Sequence, residues 1–211
     1  MQNIQFAILF SNSESIVTDI NINLILASSS PRRRQLLRQI GLEFVVIPPH
    51  VDETQHNGEQ PLDYVQRLSL EKARAVANEQ STGLVLGSDT IVVLDGQILG
   101  KPADEEEAVA TLRKLSGNTH TVFTGFSIVN AETGESHTDY GQANVTFRNL
   151  NDDEIRAYVA GGSPMDKAGA YGIQEDLGAV FINHIDGDYY TIVGLPLTKV
   201  YLALRSFAQR T

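Results

Sequence analysis

The sequence predicts an α/β fold, and three features of the chain predict it. Strand-like and helix-like segments alternate from about residue 23 to the C-terminus. Ser30, Asp104 and Asn151 stand where helix N-caps belong, just ahead of helical periodicity. Gly and Asp-Gly punctuate the segments, and neither an internal repeat nor a low-complexity linker interrupts them.

The elements follow in order. Residues 23–28 (NLILAS) read as a buried strand. A helix follows, with Ser30 as N-cap, Pro31 at its first position and Gly41 closing it. Residues 42–47 read as a second strand, and PPHVDETQHNGEQ as a loop. Pro61 opens a long helix to about Gln80. LVLGSD reads as a buried strand, and TIVVLDGQIL as a hairpin turning at Asp95-Gly96. Asp104 caps a helix with three acids in its first turn and Gly117 at its end. Two strands flank the NAETGE turn, and Asn151 caps a short helix to about Ala160. GGSPMDKAGAYGIQ reads as a Gly-rich loop, and AVFINHIDGDYYTIVGL as a hairpin turning at Asp186-Gly187. Pro196 starts the closing helix. Residues 1–22 read as an extension ahead of one domain over 23–211, without the basic leader or cleavage site of a signal peptide.

Bulk composition narrows the function classes. With 211 residues there is ample length for a core. The absence of cysteine excludes disulfides, Cys-based zinc sites and a thiol nucleophile, and fits a cytoplasmic protein. A net charge of −10 counts against nucleic-acid and anionic-membrane binding. No apolar run is long enough to span a bilayer. A polyanionic ligand would require a local cluster of Lys and Arg, with a divalent cation beside it.

Five segments could supply that cluster. The turn Ser28-Ser29-Ser30-Pro31-Arg32-Arg33 puts hydroxyls and guanidinia at a helix N-terminus, where free N–H groups and the dipole favour phosphate. Arg32 and Arg33 precede Leu36 and Leu37 by about one turn and point to the buried side, whereas Arg34 and Arg38 face water. Lys72 falls near the middle of the apolar stripe Leu62, Val65, Leu68, Ala75 and Val76, so it either finds an anionic partner or snorkels to water. Asp89 follows the strand Leu84-Val85-Leu86, where open α/β sheets place ligands; it reads as a general base, a metal ligand or a turn former. Asp52 and Glu53 form an acidic pair able to share a hard cation with Asp89. Lys101, aimed by Pro102, is a further cation. In the loop from Asp166, glycines allow close approach to a ligand and Gln174 can read a base edge. The five histidines show no metal-binding spacing, and Walker A, GxSxG and GxGxxG motifs are absent.

Taken together, LASSSPRR, VDET, LEKAR, GSDT, GKP, DKAGAYGIQ and VGLP resemble, in order, the motifs of the Maf family of nucleotide pyrophosphatases. The resemblance runs from about Leu24 to the end. It implies a Maf/inosine-triphosphatase-like fold, with an elongated mixed sheet flanked by helices, two lobes and a central cleft. It also implies a homodimer and hydrolysis between the α and β phosphates with Mg²⁺ or Mn²⁺. By the same resemblance, Asp89 is the proton acceptor and Glu53 is metal-associated. Lys72 and Lys101 are catalytic, and Ser28, Arg32 and Arg33 bind phosphate. Arg32, Thr90 and Gln174 hold the specificity positions, and AYGIQ marks the branch preferring dTTP and UTP. The expected chemistry has Glu53 and Asp89 hold the metal, Asp89 activate water, and Lys72 and Lys101 stabilise the leaving pyrophosphate. Two alternatives remain open at this point: 7-methyl-GTP or a modified pyrimidine triphosphate as substrate, or a non-catalytic, nucleotide-binding regulator of cell division.

Overall fold

The structure is a computed structural model, and it describes residues 22–210. All of the N-terminal extension except Ile22 therefore lies outside the described residues.

The strands are β1 (Leu24–Ala27), β2 (Val45–Val46), β3 (Leu84–Leu94), β4 (Gln97–Leu99), β5 (Thr119–Asn130), β6 (Ser136–Phe147) and β7 (Ile182–Gly187). The helices are α1 (Pro31–Gln39), α2 (Pro61–Ala77), α3 (Glu105–Leu115), α4 (Asp152–Ala160), α5 (Tyr189–Val193) and α6 (Leu197–Ala208). One open seven-stranded sheet runs β2-β1-β3-β5-β6-β7, with β4 pairing β3. β1 is parallel to both neighbours and the other pairings are antiparallel, so the sheet is mixed, as expected.

Helices cover both faces. α2 covers one, where Ala73 and Val76 meet Ile25, Val85 and Val129. Val65 packs on Ile91 and Val93 on the same side. The larger core fills the other face, drawing Leu36 and Leu37 from α1, Leu112 and Leu115 from α3, and Val200 and Leu204 from α6. Fully burying a side chain of this size stabilises the fold by about 1.5–3 kcal/mol. An aromatic group built from Phe147, Tyr158, Tyr171 and Phe181 anchors the loop after α4. Its rings pack edge to face, with Phe147 and Tyr171 4.8 Å apart and Tyr158 and Phe181 5.0 Å apart.

Four elements differ from the sequence expectation. The strand over 42–47 shrinks to Val45–Val46, because only β1 pairs with it at the sheet edge and Val45 stays exposed. The segments LVLGSD and TIVVL are a single strand, β3. Asp186-Gly187 makes no hairpin. Asp188 instead caps α5, accepting from the N–H groups of Tyr190 and Thr191, and this helix-start signal overrides the turn signal. Gly187 is needed for a different reason: a Cβ there would lie 2.8 Å from Ala143 Cα of β6. The Gly-rich loop is also more ordered than its composition suggests, with short 3₁₀ turns at Ser163–Asp166 and Ala168–Ala170.

Candidate active site

Asp89 stands in the middle of β3, not at a strand's carboxyl end as expected. The reason it still faces a ligand lies in the pairing of β3. On one edge, β1 covers β3 only as far as Gly87 and β4 covers it only from Val92. Between them, residues 88–91 have no strand partner on that edge among the described residues. Side chains from both faces of the sheet reach a common cleft through this gap. The cleft measures about 560 Å³, and Ser28, Arg33, Glu53, Lys72, Asp89 and Gln174 contribute to its walls.

On the α2 side, Lys72 Nζ lies 2.6 Å from Asp89 Oδ1 and 2.8 Å from Glu53 Oε1. Lys72 is only 7% exposed, so it does not snorkel; it has the anionic partner that a buried ammonium requires. Tyr64, two turns earlier on α2, donates to the Glu53 carbonyl at 2.7 Å. Arg67 clamps the same loop by pairing with both oxygens of Glu59, at 2.6 and 2.8 Å, and by donating to the Thr54 carbonyl. Burial pushes the Glu53 carboxyl up, but the hydrogen bond from Lys72 and the charges of Lys72, Lys101 and Arg33 outweigh it and hold the group below its usual value. Asp52 does not join Asp89 as the acidic-pair reading supposed. It accepts from Thr54 N–H and Thr54 Oγ1 in its own exposed turn.

On the opposite side, α1 begins where β1 ends, because Ser30 caps it and Pro31 fixes its first turn. Arg33 points inward, as its spacing predicted. Its three nitrogens donate to the Gly194 carbonyl (2.8 Å), Ser28 Oγ (3.2 Å) and Thr90 Oγ1 (3.0 Å). All three acceptors are neutral, so a half-buried guanidinium faces the cleft without a carboxylate in hydrogen-bonding contact among the described residues. Burial lowers its pKa, and the charge of Asp89 opposes that shift. The Thr90 hydroxyl is occupied as well. Thr124 Oγ1 donates to the Thr191 carbonyl at 2.7 Å, so Thr90 donates to Thr124 across 2.9 Å while accepting from Arg33. Thr90 thereby holds Arg33 in place.

Arg32 reaches across the cleft to Asp166 Oδ2 at 2.8 Å. Lys167, buried under the late loop, pairs with Asp166 at 2.7 Å and with Glu175 at 2.9 Å. Gln174 lines the cleft and donates to Glu175. Lys101 lies at the cleft mouth, exposed and without an ion-pair partner among the described residues. The expected site residues thus converge on one cleft. Tyr64, Thr124 and Glu175 lie outside the expected set, and Asp166 and Lys167 enter it only as the start of the late loop, with no role of their own. The i, i+4, i+8 row Tyr64, Leu68, Lys72 carried a usable signal for Tyr64. The Arg32–Asp166 contact spans 134 residues and left no local trace.

Comparison with known proteins places the chain in a family. Residues 23–207 match the Maf family, described as Maf-like protein. A dTTP/UTP pyrophosphatase of Moorella thermoacetica is 49% identical over 184 residues, covering 87% of this chain and 94% of its own. One of Symbiobacterium thermophilum is 50% identical over 184 residues, covering 87% and 93%. The Staphylococcus aureus Ham1 protein shares the fold, with a TM-score of 0.51 at 15% identity over 88% of this chain and 99% of its own. A match over residues 23–207, nearly the whole described chain, makes this protein a member of the Maf family.

Proposed function

We propose that this protein is a nucleoside triphosphate pyrophosphatase that hydrolyses dTTP and UTP to the monophosphate and pyrophosphate. The names of its relatives support the substrate. The single structural observation that carries the chemistry is a half-buried, carboxylate-free guanidinium beside a carboxylate pair. Arg33 awaits an anion on one wall, and Asp89 and Glu53 converge on the other.

In this reading, Arg33 and the N-terminus of α1 grip the phosphates. Asp89 orients a water and takes its proton during in-line attack on the α-phosphorus. Lys72 and Lys101 face the charge that develops on the departing pyrophosphate. Gln174 and Arg32 contact the base end, and Thr90 acts through Arg33.

A divalent ion fits the donors present. Two carboxylates meet at one ammonium, and Mg²⁺ or Mn²⁺ is suited by one or two carboxylates completed by phosphate oxygens and water. Among the described residues there is no group of three His, Asp or Glu, which argues against a closed protein cage. Glu53 and Asp89 would hold the ion, which supplies charge neutralisation on the phosphates and a more acidic water. A homodimer and a cytoplasmic location complete the proposal; no helix of the described chain is long and apolar enough to cross a membrane.

A panel of nucleoside triphosphates, assayed for pyrophosphate release with and without Mg²⁺ or Mn²⁺, tests the reading. Metal-dependent turnover highest with dTTP and UTP is the expected result. Preference for 7-methyl-GTP, or nucleotide binding without turnover, overturns it.

A further inference from the structure

The two specificity positions at the base end, Arg32 and Gln174, are joined by an unbroken line of charge-assisted contacts. Arg32 pairs with Asp166, Asp166 with Lys167, Lys167 with Glu175, and Glu175 accepts from Gln174 Nε2 at 2.9 Å. Lys167 anchors the line. It is 5% exposed and also donates to the Ser163 carbonyl. Gly172 makes room for it, since a Cβ there would stand 2.8 Å from Lys167 Cε.

We infer that Glu175 sets the base preference by fixing which way round the Gln174 amide faces. An ionised carboxylate only accepts hydrogen bonds, so Gln174 must turn its NH₂ toward Glu175. Its Oε1 and remaining N–H are then left for a ligand in one fixed order. Uracil and thymine present an acceptor (O4) beside a donor (N3–H). Cytosine presents the reverse, a donor (N4–H) beside an acceptor (N3). An amide free to flip serves both edges, whereas an amide held one way round serves one. Glu175 is thus a positioning residue that makes the Gln174 amide selective for imide-type pyrimidines. Lys167 in turn holds the Glu175 carboxylate in place.

This inference rests on the pyrimidine triphosphate reading above, and its test separates the two. Glu175→Gln replaces an acceptor-only group with one that both donates and accepts, which frees the Gln174 amide to flip. The measurement is kcat/KM for dTTP, UTP, CTP and dCTP with the wild type, Glu175→Gln and Glu175→Asp. In Glu175→Gln, the dCTP-to-dTTP ratio should rise about tenfold, about 1.4 kcal/mol, in keeping with the loss of one charge-assisted hydrogen bond. Glu175→Asp keeps an acceptor-only group and should stay near the wild-type ratio. An unchanged ratio in Glu175→Gln overturns the inference, including the case where both substrates fall by one common factor, as a purely structural role would give. A wild type that turns over no pyrimidine triphosphate overturns the functional reading and this inference with it.

Discussion

At the residue scale, the account turns on what surrounds each charge. Asp89 is buried beside Lys72 and opposite Arg33, which suits it to handle a proton next to a bound anion. Asp89→Asn keeps the shape and removes the base. Its kcat should fall about 10³-fold while nucleotide affinity changes little, read from pyrophosphate release and equilibrium binding. Full activity in that variant would remove Asp89 from the mechanism. His120 is a different case. It is almost fully buried on β5, its Nε2 shares a 2.8 Å hydrogen bond with the Tyr171 hydroxyl, and its Nδ1 has no partner among the described residues. Burial pushes its pKa down from 6.5 to about 4. The unfolded chain therefore takes up a proton at this residue below pH 6.5, while the native protein resists until about 4. Stability from this group is full above pH 6.5 and falls as the pH drops toward 4. Between pH 6.5 and about pH 5 the loss should be about 1.5 kcal/mol in urea unfolding, and His120→Gln should flatten it. An identical slope in the variant would assign the pH dependence to other groups.

At the element scale, α2 places Lys72 against Asp89 because its backbone sits directly on the sheet. Gly87 permits this. A Cβ there would come within 2.3 Å of the Ser69 carbonyl and 2.6 Å of Ala73 N, the turn that carries Lys72. Gly125 does the same one turn earlier, where a Cβ would lie 2.5 Å from the Val65 carbonyl. Gly87→Ala should lift α2, costing about 1–3 kcal/mol in chemical denaturation and lowering kcat with it. Native stability and turnover in that variant would show that the approach is not tight. Much at this scale was legible in the sequence. Ser30, Asp104 and Asn151 cap the helices they were expected to cap, and Lys72 lies on the buried stripe of α2. The errors fell where two local signals competed. Asp186-Gly187 resembles a hairpin turn, but Asp188 begins a helix. GSDT resembles the end of a strand, but β3 continues through it because β5 pairs with it from Leu84 to Val93.

At the scale of the whole molecule, a chain of net charge −10 gathers Arg32, Arg33, Lys72, Lys101 and Lys167 around one cleft. Residues far apart in sequence meet there because β3 loses its partner strand on one edge between Gly87 and Val92. No local pattern encodes that gap, nor the contact between Arg32 and Asp166 across it. The sequence therefore pointed to Ser28, Arg32, Arg33, Glu53, Lys72, Asp89, Thr90, Lys101 and Gln174, all of which line the cleft, but not to Tyr64 or to the network that links them. The central claim is that this cleft directs water to the α-phosphorus of a bound pyrimidine triphosphate. Hydrolysis of dTTP in ¹⁸O-labelled water, followed by ³¹P NMR of the products, tests it most directly. Label in the monophosphate, with unlabelled pyrophosphate released beside it, is the predicted result. Label in pyrophosphate or orthophosphate, or formation of the diphosphate, would contradict it.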